Sequence, residues 1–212
     1  MKKLMLLLVP IVSFVLLNAV DLNVSAGLTF PSISQEVTLQ GTAGFSGGVS
    51  IPFNRAGSVL IEPGIRFRNM KFYWESLYEW YDGSKDIDES TTNINYFDLY
   101  IKAKLNPLQN VETNVKIYPN IGFGMGIFSS GKSKRTSKEI YNGVTINKYT
   151  YTYNFEDDAN SNVFSILIGM DLLINNSVTL GFEYNRALNS IFRDDTVRSS
   201  TIMINLGYLL PS

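Results

Sequence analysis

Nine ionisable side chains sit on the polar rows of stretches that alternate apolar and polar residues: Glu62, Arg66, Arg68, Asp98, Lys102, Lys104, Lys116, Asp171 and Glu183. Carboxylates gathered among cations can do three kinds of work. Two acids could act as a general acid and a general base, a charged row could line a gated ion path, or the groups could pair and fill a narrow interior. Pairing is the expected use, because an isolated charge away from water is very costly. Nothing in the spacing selects a catalytic pair. The chain has no His, which removes the usual general base, the usual zinc ligand and every His-containing triad. It also has no Cys, so no disulfide framework exists.

Two further groups could bind rather than react. The segment WESLYEWYDGSKDIDES holds Trp74, Tyr78, Trp80 and Tyr81 beside Asp82, Asp86, Asp88 and Glu89. Such aromatics offer apolar contact together with a hydrogen bond, which suits either a recognition surface or anchoring at a membrane interface. The acidic spacing is a third option, a Ca²⁺ loop, but its ligand order departs from that of an EF-hand. Lys132, Lys134, Arg135 and Lys138 form a basic cluster that reads as a solvated face or as a contact for lipopolysaccharide phosphates.

What positions these residues is a repeated strand pattern, clearest in VKIYPNIGFGMGI. Odd positions carry Val115, Ile117, Pro119, Ile121, Phe123, Met125 and Ile127, and even positions carry Lys116, Tyr118, Asn120 and three glycines. Side chains alternate across a strand, so one face is wholly apolar and the other small or polar. That is a wall between two media. A membrane-spanning β-barrel explains it, since lipid demands an apolar exterior and a closed sheet, and an eight-stranded interior is just wide enough for side chains to fill.

Eight such strands are expected, from Leu22 to Phe30, Ala43 to Phe53, Ser58 onward to Trp74, Tyr96 to Leu105, Val115 to Ile127, Phe164 to Leu172, Val178 to Asn185 and Thr201 to Leu210. Pro31 should end the first. A long loop over 75–92 and a longer one over 129–160 alternate with short turns, and Asn142-Gly143 marks a two-residue hairpin within the longer. Short turns are periplasmic in outer-membrane barrels, so both termini should lie there. Residues 1–19, with Lys2, Lys3 and an apolar run, read as a signal peptide, and residues 20–212 as the barrel domain. Cleavage after Ala19 is expected; cleavage after Ala26 would cut into the first strand. Without Lys2 and Lys3 the 18 basic residues become 16 against 19 acidic, a net charge of −3 that argues against nucleic-acid binding.

The signal peptide, the GLTFP start, EPGIRF, the Gly122-x-Gly124-x-Gly126 run and the closing NLGYLL resemble the PorT-like outer-membrane β-barrel domain family, which is similar to the small OmpA- and OmpX-like barrels. The resemblance implies an all-β, eight-stranded antiparallel up-and-down barrel in the outer membrane of a Gram-negative bacterium. Its role would be structural, adhesive or recognition-based and carried by extracellular loops, with no cofactor and a monomeric state. Implied partners are outer-membrane lipid and lipopolysaccharide, the barrel-insertion machinery and an extracellular ligand. Ser212 departs from the aromatic residue usual at the last position read by that machinery. Two rival readings stand beside it: a soluble periplasmic lipocalin-like barrel holding an apolar ligand, and an outer-membrane enzyme.

Overall fold

The computed structural model describes residues 21–34, 40–55, 57–108, 111, 113–154, 159–192 and 197–211. The signal segment before residue 21 lies outside the described residues. Among the described residues ten antiparallel strands follow in chain order: β1 (Leu22–Ser34), β2 (Gln40–Thr42), β3 (Gly44–Ser50), β4 (Val59–Glu79), β5 (Lys85–Leu105), β6 (Val115–Tyr141), β7 (Val144–Asn154), β8 (Asn162–Ile174), β9 (Val178–Ala187) and β10 (Arg198–Leu210). Eight of them close a ring in the order β4, β3, β1, β10, β9, β8, β6, β5, sealed by the β4–β5 pairing. β2 adds to β4, and β7 adds to β6. Closure satisfies every backbone group along the ring without a free edge, which hydrocarbon requires.

The apolar rows face outward. Leu28, Phe45, Ile101, Ile121, Phe123, Phe164, Ile168, Ile202 and Leu206 are all exposed, whereas Ser46, Glu62, Asp98, Asn120 and Glu183 on the opposite rows are buried. This arrangement is the inverse of a soluble ligand-binding barrel, in which the apolar row would line the interior. Phe45, Phe67 and Phe97 touch in sequence on the outer face, with ring centroids 5.6 and 5.5 Å apart, at the level where an aromatic girdle sits.

Four strands, β1, β4, β5 and β6, run further than their sequence suggests. β1 does not end at Pro31 but pairs with β10 as far as Ser34↔Arg198. The Pro31 carbonyl faces Gly41, so the missing N–H falls on the side that β3 has already left, and no rung to β10 is lost. The expected loop over 75–92 is instead a hairpin, in continuous register from Val59↔Leu105 to Glu79↔Lys85. β6 likewise continues to Tyr141 and turns through Asn142 and Gly143, both with positive φ, into β7, as Asn-Gly between extended runs demands. The upper parts of β4, β5 and β6, with β7, therefore form a four-stranded ribbon that projects from the long-loop end of the barrel.

Candidate functional site

The barrel interior is built in tiers. Near the short turns Leu60, Tyr118, Leu173 and Leu209 form an apolar floor. Above it Lys104 Nζ lies 2.5 Å from Glu62 and 2.7 Å from Asp171. Ser50 donates to Glu62 at 3.0 Å, and Asn120 donates to Asp171 at 3.2 Å. One level higher Arg66 bridges Asp98 at 3.0 Å and Glu183 at 2.7 Å, Lys102 reaches Glu183 at 2.6 Å, and Arg68 holds Asp98 at 2.8 Å. Tyr100 lies under both Arg66 and Lys102, each cation 5.0 Å from the ring centre. Gly64, opposite Tyr100, leaves the room for that ring, since a Cβ there would meet the phenol oxygen at 2.5 Å.

Among the described residues four carboxylates thus face four cations, and their charges cancel. Eight of the nine expected lumen residues come together. Lys116 does not. It follows the inward parity but sits below Tyr118, half-exposed at the turn end opposite Leu173, with no carboxylate partner among the described residues. A position past the apolar floor opens to water, so its ammonium needs no ion pair. Small cavities of about 30 Å³ lie in the charged tier beside Ser46, Tyr100 and Asn205 and lower down beside Tyr118 and Leu209. Each has room for one or two waters.

Sequence reading missed the top tier. Met70, Phe72, Ile94, Tyr96, Val163, Ala187, Ile191 and Val197 pack into a buried apolar lid across the long-loop mouth. The available signal was that Met70, Phe72 and Ile94 occupy inward parity where the strands continue upward, but this is visible only if the segment is read as strand.

Beyond the lid the same inward face becomes the inner face of the ribbon. Trp74 is half-buried there, with the Arg135 guanidinium 5.7 Å from its ring. Arg135 also donates to Asp88 at 2.6 Å, and the Ser137 hydroxyl donates to the same carboxylate. Those two donors, Ser137 first, hold the Asp88 carboxyl below the usual aspartate range, and the bond to Asp88 in turn raises the Arg135 guanidinium. Tyr151, paired with Arg135 in register, stacks on Tyr153 with centroids 6.3 Å apart. Tyr78 meets Trp80 edge to face at 4.7 Å, and Tyr81 is fully exposed at the tip. Trp74 and Tyr78 share the parity of Phe72, which points into the barrel, so neither lies in a lipid-facing interfacial belt.

The expected basic cluster is divided by the strand. Arg135 faces inward, while Lys132, Lys134 and Lys138 face outward, and Lys138 is bonded to Glu89. The acidic residues are committed as well: Asp82 accepts from the Ser84 amide and hydroxyl, Asp86 from the Trp80 indole at 2.8 Å, and Asp88 and Glu89 as above. Among the described residues no three potential ligands converge as a metal site.

A closed antiparallel barrel with a lipid-facing apolar wall and a filled polar interior defines an integral outer-membrane barrel. The chain belongs to the outer membrane protein beta-barrel domain family, whose model matches residues 15–193. No curated protein matches its sequence. Among solved structures it is similar to Ail, the attachment invasion locus protein of Yersinia pestis, at 15% identity and a TM-score of 0.41, over 90% of this chain and 99% of that one. It is similar also to Neisserial surface protein A, at 14% identity and a TM-score of 0.37, over 88% of this chain and 96% of that one. The outer membrane enzyme PagL gives 14% identity and a TM-score of 0.37, over 91% of this chain and 99% of that one.

Proposed function

We propose that this outer-membrane barrel is a sealed scaffold that displays a recognition surface for a protein partner outside the cell, on the inner face of the ribbon. The carrying observation is that Trp74, Tyr78, Arg135, Tyr151 and Tyr153 lie on one face of a sheet lifted clear of the membrane. Trp, Tyr and Arg are the side chains that dominate protein–protein binding energy, because they combine large contact area with a directed polar group. The eleven residues of β7 are exposed throughout, which leaves this wing accessible. Neutral pairing in the lumen and apolar layers at both ends support a barrel that does not conduct. Lack of His and the commitment of all four lumen carboxylates to cations support a non-catalytic role. Within the family, GLTFP, EPGIRF and NLGYLL support the PorT-like branch.

Display libraries of extracellular proteins screened against the barrel in vesicles, with the Trp74→Ala/Arg135→Ala variant alongside, test this reading. Partners captured by the wild type and lost by the variant are expected; partners retained by the variant would exclude the inner face. Mature protein is expected to begin at Val20. Leu22 to Ala26 pair with Leu206 to Leu210 to close the barrel seam, so cleavage after Ala26 would remove the rungs that seal it. N-terminal sequencing of the membrane fraction decides between the two positions.

A further inference from the structure

The outer face of the ribbon base changes chemistry rung by rung. Phe67, Phe97 and Ile127 form the last apolar rung on β4, β5 and β6. Next come Asn69, Asn95 and Ser130, joined by side-chain hydrogen bonds of 2.7 and 2.9 Å. Lys71, Asn93 and Lys132 follow, then Tyr73, Thr91 and Lys134. Carboxylates begin only one rung higher, with Glu75 and Glu89, and these already accept from Tyr73 and Lys138.

Lys71, Lys132 and Lys134 therefore carry three ammonium groups on one face, none paired with a carboxylate among the described residues. Along a strand rising about 3.3 Å per residue and tilted about 40°, Lys71 lies roughly 10 Å above the Phe67 rung, at headgroup depth. A lysine stem can also lie along the wall and lower its charge toward the hydrocarbon boundary. At the opposite rim the lipid-facing rows end in Leu22, Val59, Leu105, Val115 and Leu210, none of them charged. Among the described residues, outward-facing lysines without a carboxylate partner thus gather at the long-loop boundary. A solvated face placed merely for solubility has no reason to concentrate at that depth.

We propose that Lys71, Lys132 and Lys134 bind the phosphate groups of a phosphorylated glycolipid headgroup in the outer leaflet, pinning the ribbon base at the membrane surface. Arg135 and Lys138 take no part, because one faces the barrel axis and the other is bonded to Glu89. This site is independent of the inner-face surface proposed above, and failure of either leaves the other standing.

The test uses the full barrel in phosphatidylcholine nanodiscs doped with equal amounts of bisphosphorylated lipid A and its dephosphorylated form, with native mass spectrometry reading the ratio retained. Wild type should retain the phosphorylated form preferentially, and Lys71→Gln, Lys132→Gln and Lys134→Gln should each reduce that preference by about fivefold. Lys148→Gln, higher on the ribbon, should leave it unchanged. Equal retention of both lipids by the wild type would overturn the proposal, as would a triple Lys→Gln variant that keeps the full preference. Inorganic phosphate at millimolar concentration should displace little of the lipid; complete displacement would show a free-phosphate site instead and would also overturn it.

Discussion

β4, β5 and β6 each pass through two environments, and the same alternating strand does different work in each. Within the membrane their inward charges are buried and mutually paired, as in the Arg66–Asp98–Arg68 and Lys102–Glu183 contacts. In the ribbon the pairs Arg135–Asp88, Lys138–Glu89 and Lys85–Glu79 are partly or largely open to water. Desolvation separates the two. Below the lid, removing one partner leaves a charge shielded from bulk water, whereas above it water replaces the lost partner at small cost. Stability should therefore reside in the barrel and binding in the ribbon, even though no chain break divides them.

The largest effect should come from breaking the lower network. Asp98→Ala strands Arg68 in the interior, leaves Arg66 with Glu183 alone, and should cost about 3–5 kcal/mol in urea unfolding from vesicles. A cost below 1 kcal/mol would mean that water reaches this tier and that the barrel is not sealed. The wall comes next. Ile121 is more than half exposed on the lipid face, so Ile121→Arg should cost about 2–4 kcal/mol in the same titration. Folding of the wild type in plain buffer without aggregation would refute a lipid-facing wall whatever that substitution costs.

In the ribbon the expected effects on stability are small. Arg135→Ala removes a partly exposed ion pair and should change global unfolding by no more than about 1 kcal/mol. Excising 132–153 should leave insertion and the urea midpoint nearly unchanged; loss of insertion would show that the ribbon is part of the barrel's folding unit. The smallest effect is a pH response. Because the folded Asp88 carboxyl lies below its ordinary value of about 3.9, its contribution is complete above that value and is lost as pH falls through the lower, folded one. Fluorescence of Trp74 in a Trp80→Phe background should stay constant from neutral pH to about 4 and shift below it, and Asp88→Asn should show the shifted signal at every pH.

The wall of this protein was legible because it is a local property. A residue such as Ile121 faces lipid and Asn120 faces the lumen by strand alternation alone, and the media on the two sides differ enough to write that alternation into every membrane strand. The eight strands of the ring and the Asn142-Gly143 turn followed from the same reading, but the added strands β2 and β7 did not. Strand length did not, because above the membrane both faces of the ribbon meet water and the alternation that marks a strand fades after Phe72.

Which charge meets which was decided only in three dimensions. Glu62 and Lys102 are direct cross-strand partners, yet Lys102 reaches across the lumen to Glu183 on β9 while Glu62 takes Lys104. In a closed narrow barrel the opposite wall is within reach of a long side chain, and closure is a property of all eight ring strands together. The apolar lid has the same origin. Met70, Ile94, Val163 and Ile191 are distant in sequence, and only the circumference of the barrel brings them over one opening.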